Sequence, residues 1–112
     1  EMGIWTPSGE YAEHYSTSRQ VVGTWIDGST IYRKSYVFNN VVTYQSQQWT
    51  SLTEAPASNI SEVIRGFGQD ANGTLFVPLG VNVNAGYFGV LNTRNNIITL
   101  KKFTIEYTKT TD

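Results

Sequence analysis

The sequence predicts an all-β fold, an antiparallel β-sandwich of jelly-roll-like form with about seven or eight short strands. Three observations support this prediction. Apolar residues alternate with polar ones over short runs, Thr, Val, Tyr, Ile and Asn are abundant, and ten glycines separate the runs. Period-two alternation of β-branched and aromatic residues is typical of half-buried strands.

A single domain spans residues 1–112, because a chain of this length can bury one core without crosslinks or metal. Residues 1–20 form a lead-in segment. Its stretch 10–14 is a modest helix candidate and fits an extended conformation equally well. The chain begins with Glu1-Met2, and we therefore expect it to be a fragment of a longer chain.

The strongest strand signal is a hairpin between Val21 and Val37 that turns at Asp27-Gly28. We assign a structural role in this hairpin to Gly23, Trp25, Asp27 and Gly28. On its second arm, Tyr32, Lys34, Tyr36 and Phe38 share one face, and neither face is purely apolar. We expect a neighbouring subunit to cover a row of three aromatic residues: Tyr32, Tyr36 and Phe38.

The middle of the chain predicts a turn at Asn39-Asn40 and an exposed loop over 45–57. The stretch 59–67 has the spacing of a helix capping box, but its glycines favour a strand. A turn at 70–73 and a strand over 74–77 follow.

Near the end, 87–91 and 96–107 predict a second hairpin. The inward positions change from even to odd at Lys101-Lys102, since Ile98 and Leu100 are followed by Phe103 and Ile105. A change of phase requires a bulge at this point or a break between two strands.

The residue types exclude most catalytic and metal chemistry. There is no cysteine, His14 is the only histidine, and no Gly-x-Ser-x-Gly motif occurs. A glycosidase needs two carboxylates at a suitable separation, and the available pool is Glu54, Glu62, Asp70 and Glu106. Glu62 and Glu106 fit solvent-facing strand positions instead, and Asp70 fits a turn. We predict a protein that is not an enzyme and has no catalytic residues, no metal and no cofactor.

The charge balance argues against nucleic acid as a partner, because eight basic and nine acidic residues give a net charge of −1. No run approaches the roughly 18 apolar residues of a membrane span, so we expect no membrane insertion.

The aromatic residues suggest a binding surface, because three Trp, seven Tyr and five Phe exceed what a core of this size needs. Trp49 lies among amide and hydroxyl residues and is the candidate for stacking on a sugar ring. Its predicted companions are Gln47, Gln48 and Tyr44. The alternative is that Trp49 folds back as a local core plug.

Two segments resemble the C-terminal regions of tail-fibre and head-fibre proteins of tailed bacteriophages. The first comprises Tyr15-Ser16-Thr17, the run from Gln20 to Gly28, and Tyr32-Arg33-Lys34; the second is the ending from Ile105 to Asp112. The centre of the chain, 39–91, departs most from the family pattern.

The resemblance implies that the chain is the C-terminal fragment of a longer fibre chain and forms a homotrimeric β-sandwich tip domain on the virion surface, extracellular once assembled. It further implies attachment to a receptor of the host bacterial surface, a glycan or a protein, and a link to other virion proteins through an upstream region. It supplies no catalytic residues. The alternatives are a purely structural trimerisation or decoration domain and, more distantly, a carbohydrate-binding module of a secreted glycan-active protein.

Overall fold

The structure is a computed structural model and describes residues 4–5, 11–12, 14–43, 48–92 and 97–110. Every regular element in this part of the chain is a β-strand. The strands are β1 (Ile4–Trp5), β2 (Tyr11–Ala12), β3 (Gln20–Thr24), β4 (Thr30–Thr43), β5 (Trp49–Pro56), β6 (Ile60–Asp70), β7 (Leu75–Phe76), β8 (Gly80–Asn84), β9 (Tyr87–Leu91) and β10 (Ile98–Lys109).

Two antiparallel sheets form the body of the molecule. The large sheet has five strands in the order β3-β4-β10-β6-β7, and the small sheet has three in the order β5-β9-β8. Strands β1 and β2 pair only with each other. The predicted all-β sandwich is therefore confirmed, with long strands β4, β6 and β10 at the centre of the large sheet.

The core lies between the two sheets. Phe103 and Ile105 on β10 are fully buried, and Phe88 and Val90 on β9 are buried with them. Phe103 packs closely on β6 because Gly66 and Gly68 have no side chains. A Cβ atom at Gly66 would lie only 3.0 Å from Cζ of Phe103. The largest fully buried apolar side chains are Leu52, Phe76, Phe88, Val90, Leu100, Phe103 and Ile105.

The aromatic row on β4 belongs to this core, which corrects the expectation of a subunit contact. Tyr32 is 6% exposed and Phe38 is 3% exposed, and Tyr36 is partly buried against the same cluster. The rings of Tyr36 and Phe88 lie 6.5 Å apart, centroid to centroid. The row is therefore buried within one chain, where Phe88 of the small sheet packs on Tyr36.

The change of phase in β10 is a bulge. The pairing of β10 with both β4 and β6 shifts register between Leu100 and Lys102. Ile98 and Leu100 point into the core before the shift, and Phe103 and Ile105 do so after it. Against β6, one extra residue of β10 thus keeps the inward positions facing the core on both sides of the bulge, with Lys102 exposed between them.

The predicted hairpin between β3 and β4 is present, and Gly28 takes a positive φ of 90° in its turn. The Asp27 carboxylate accepts a hydrogen bond from the Ser29 N–H, and this bond lowers the pKa of Asp27. Gly23 pairs with Ile31 at a register shift of β3, and Trp25 begins the loop after this strand.

Three local predictions are wrong. Asn39-Asn40 is not a turn, because β4 continues to Thr43 and pairs there with β10. The segment 45–57 is not all loop, because its second half forms β5, where Thr50 and Leu52 are buried between exposed neighbours. Finally, β9 and β10 do not form a hairpin, because β9 pairs with β5 and β8 in the other sheet.

Candidate functional site

Trp49 begins β5, at the edge of the small sheet, and its side chain is 49% exposed. Gln48 precedes it and is also exposed. The other two predicted companions, Tyr44 and Gln47, lie outside the described residues. The core-plug alternative for Trp49 is wrong, because the residue is among the exposed large hydrophobic residues.

The outer face of the small sheet is built by strand alternation. Thr50 and Leu52 on β5 point inward with Phe88 and Val90 on β9, so the residues between them point outward. This outer surface, called the Trp49 face below, comprises Trp49, Ser51, Gly80, Asn82, Asn84, Tyr87, Gly89 and Leu91.

One row of the Trp49 face runs from Trp49 through Leu91 to Gly80. The indole extends across this row, because a Cβ at Gly80 would lie only 3.1 Å from its Cη2 atom. A side chain at position 80 would therefore compete with the indole for space. The glycine leaves the ring resting on the sheet with part of its surface in solvent.

The middle row carries hydrogen-bonding groups. Ser51 pairs with Gly89, and Gly89 pairs with Asn82. The Asn82 amide lies over Gly89. A Cβ atom added at Gly89 would lie only 2.5 Å from Oδ1 of Asn82. A carboxamide offers two donors and an acceptor with two lone pairs, and the Ser51 hydroxyl can both donate and accept.

Tyr87 closes the other end of the Trp49 face. It is 36% exposed and pairs with Asn84. Tyr87 lies four residues from Leu91 on β9, so about 13 Å separate the Tyr87 row from the Trp49 row at the rise of a β-strand. The face thus presents two aromatic rings with amide and hydroxyl groups between them, an arrangement that can stack on sugar rings and bind their hydroxyls.

The outer face of the large sheet carries a second, more apolar depression of about 350 Å³. Tyr15 and Phe67 meet edge to face in it, with ring centroids 6.3 Å apart. Val37 and Leu75 line it and are 67% and 58% exposed.

Ion pairs hold the wall beside this depression. Glu106 accepts hydrogen bonds from Arg65 Nε at 3.1 Å and Nη2 at 3.2 Å, and Arg33 Nη1 lies 3.8 Å from the same carboxylate. The buried Arg33 also donates to the carbonyl of His14 and lies 4.0 Å from the centroid of the Tyr15 ring. These contacts fix the segment before β3 onto the sheet.

The remaining carboxylates considered for catalysis are dispersed. Asp70 accepts hydrogen bonds from the backbone N–H groups of Asn72 and Thr74 in a turn, and Glu54 accepts one from Asn39. Glu62 is exposed on β6. In the part of the chain with described coordinates, no group of three or more His, Cys, Asp or Glu side chains is placed to hold a metal ion.

Within the same described ranges, no helix is long and apolar enough to cross a membrane.

The sequence pointed to Trp49 but missed Ser51, Asn82 and Tyr87. The signal for the last two was present, since Val81 and Val83 alternate with Asn82 and Asn84 just before Tyr87. Placing them beside Trp49 requires the strand order of the small sheet, which the sequence does not contain.

The fold and this surface define a class, an antiparallel β-sandwich with an exposed aromatic and amide face. Comparison with protein-family models, with curated proteins and with solved structures found no match to the chain.

Proposed function

We propose that the protein is a glycan-binding β-sandwich of a phage fibre, and that it attaches the virion to a glycan of the host bacterial surface. The observation that supports binding is the Trp49 face, where two exposed aromatic rings flank the Asn82 amide and the Ser51 hydroxyl. The fibre setting rests on the resemblance of the segments 15–34 and 105–112. The binding role needs no catalytic group.

The preorganisation of the Trp49 face favours binding. Gly80 and Gly89 let the indole and the Asn82 amide lie close to the sheet, so little side-chain freedom is lost when a ligand arrives. A regular strand is also a more rigid support than a loop.

The test is binding of the labelled protein to an array of bacterial surface glycans. We expect Trp49→Ala to weaken binding about tenfold or more, which corresponds to about 1.4 kcal/mol. The matched control is Trp25→Ala, which removes the same ring from the hairpin loop and leaves binding unchanged. Equal binding by wild type and Trp49→Ala would contradict the proposal.

A structural role in trimer assembly is the second candidate, and the exposed apolar residues of the large sheet favour it. Val37 and Leu75 lie on its outer face, which copies of the chain would have to cover. Light scattering tests this role: it requires a trimer for the wild type and a monomer for Val37→Lys. A monomeric wild type would remove this candidate and leave the glycan proposal standing.

A further inference from the structure

A polar pocket of about 440 Å³ opens between the two sheets at the end of the core. Its walls come from the inner face of β4, the end of β10 and the segment that follows β5. Lys34 lies on this inner face between Tyr32 and Tyr36, opposite Ile105. A lysine among inward-facing residues of a central strand is uncommon, because a charged group is rarely buried without a partner.

Three cations line the pocket: Arg19, Lys34 and Lys109. The lining residues that the structure describes include no Asp or Glu. The whole chain has a net charge of −1, so this pocket concentrates positive charge against the overall balance.

Aromatic rings position two of these cations. The guanidinium carbon of Arg19 lies 4.6 Å from the Tyr32 ring centroid, and Lys34 Nζ lies 5.0 Å from that of Tyr36. A ring face attracts a cation without neutralising it. The rings therefore position the two cations and leave them able to donate hydrogen bonds.

The tyrosines of the pocket add no negative charge at neutral pH. Burial raises the pKa of Tyr36 to about 12, and burial also raises the pKa of Tyr107. The Tyr36 hydroxyl donates to the Pro56 carbonyl at 3.3 Å, which holds this wall in place.

We infer that this pocket binds an oxyanion, the carboxylate or phosphate group of an acidic ligand. The like charges around this cavity repel each other. An anion bound between them would replace this repulsion with electrostatic attraction. Arg and Lys donate strong charge-assisted hydrogen bonds to such groups, and the rings of Tyr36 and Phe88 offer an apolar wall for the rest of the ligand. The pocket shares no residue with the Trp49 face, so the inference does not depend on the proposed function.

Titration of the full chain by NMR with three probes tests the inference: sodium glucuronate, glycerol 3-phosphate and glucose. We expect at least one anion to shift the amide signals of Lys34, Tyr36 and Lys109, and glucose to leave them unchanged. A response to glucuronate alone assigns a carboxylate ligand, and a response to glycerol 3-phosphate alone assigns a phosphate. A response to both assigns general oxyanion binding.

Three variants separate the pocket from nonspecific attraction. Lys34→Met and Arg19→Gln should each weaken anion binding about tenfold, as expected for loss of a charged hydrogen bond. Arg19 is exposed, so its variant keeps the test valid if Lys34→Met fails to fold. Lys102→Met removes the same charge from the outer face of β10 and should change nothing.

The inference is overturned if neither anion shifts these signals. It is equally overturned if Lys102→Met weakens binding as much as Arg19→Gln does, because binding would then follow net charge alone. Binding of anions with no binding of neutral glycans would support oxyanion binding by the pocket and contradict glycan binding by the Trp49 face.

Discussion

At the residue scale, the packing of Phe103 on β6 depends on glycine. A Cβ at Gly68 would collide with the carbonyl oxygen of Lys102 on the neighbouring strand and lie 2.8 Å from Phe103 Cδ1. The backbone of β10 would have to move, since a carbonyl cannot rotate away as a flexible side chain can.

We therefore expect Gly68→Ala to lower the free energy of unfolding by about 2 kcal/mol or more, the range of overpacked cores. Urea denaturation measures it. Gly23→Ala is the control, because its Cβ would lie 3.8 Å from Ile31 Cδ1 in ordinary contact. An equal loss in both variants would contradict the packing explanation.

Ionisation of Tyr36 makes the free energy of unfolding depend on pH in the alkaline range. Its pKa is about 12 in the folded protein against 10.0 for the free side chain, because burial disfavours the phenolate. As the pH rises, the Tyr36 hydroxyl loses its proton in the unfolded chain before it does so in the folded protein. Its contribution to the free energy of unfolding is therefore complete below pH 10 and is lost between pH 10 and 12.

Tyr36→Phe lacks this titration. We expect the free energy of unfolding to fall less steeply for the variant than for the wild type over that interval, as measured by denaturation at fixed pH values. Parallel curves would show that the Tyr36 hydroxyl is not protected from ionisation.

At the element scale, the turn between β8 and β9 holds a strained residue. Ala85 has a φ of 55° and is followed by Gly86 at 85°. Positive φ angles at both positions are typical of a type I′ hairpin, which favours Asn before Gly. Asn59 already occupies the same region at 58°.

Ala85→Asn should therefore raise the free energy of unfolding by about 0.5–1 kcal/mol, because alanine has a steric penalty in this region that asparagine largely avoids. Thermal unfolding measures it as an increase in Tm. Gly86→Ala is the opposite control and should lower Tm. A decrease in Tm for Ala85→Asn would contradict the assigned turn.

The bulge of β10 predicts different effects for two deletions. Lys101 is the extra residue relative to β6, so its removal would leave Ile98 and Leu100 on the same face as the inward residues after the bulge, and we expect this variant to keep cooperative folding. Removing Thr104 from the regular part of β10 would instead turn either Phe103 or Ile105 to the outer face, and we expect this deletion to abolish cooperative folding. Circular dichroism during thermal unfolding measures both effects; equal loss of folding in the two deletion variants would contradict the bulge.

The elements differ in how far the sequence predicts them. The β3–β4 hairpin and the bulge were predictable because turn chemistry and alternation are local. The partners of β9 were not, because the choice of sheet depends on contacts with β5, distant in the chain. The hairpin of β8 and β9 was missed because Ala85 is an unusual residue at its turn.

At the scale of the whole molecule, the small sheet has two roles. Its inner face packs on the aromatic residues of β4 through Phe88, whose ring lies 6.5 Å from that of Tyr36, and its outer face carries Trp49 and Tyr87. The candidate site was only partly predictable for this reason: an exposed indole can be inferred from its polar neighbours, whereas Asn82 joins it only through tertiary pairing.

The most direct test of glycan binding uses the indole N–H signals of the three tryptophans in one NMR spectrum, assigned by substitution. Oligosaccharides identified on the array of bacterial surface glycans are the probe. We predict that the Trp49 signal shifts on titration, together with the amides of Gly89 and Asn82, and that the Trp25 signal does not. Shifts confined to residues outside the Trp49 face, or no binding to any glycan, would contradict it.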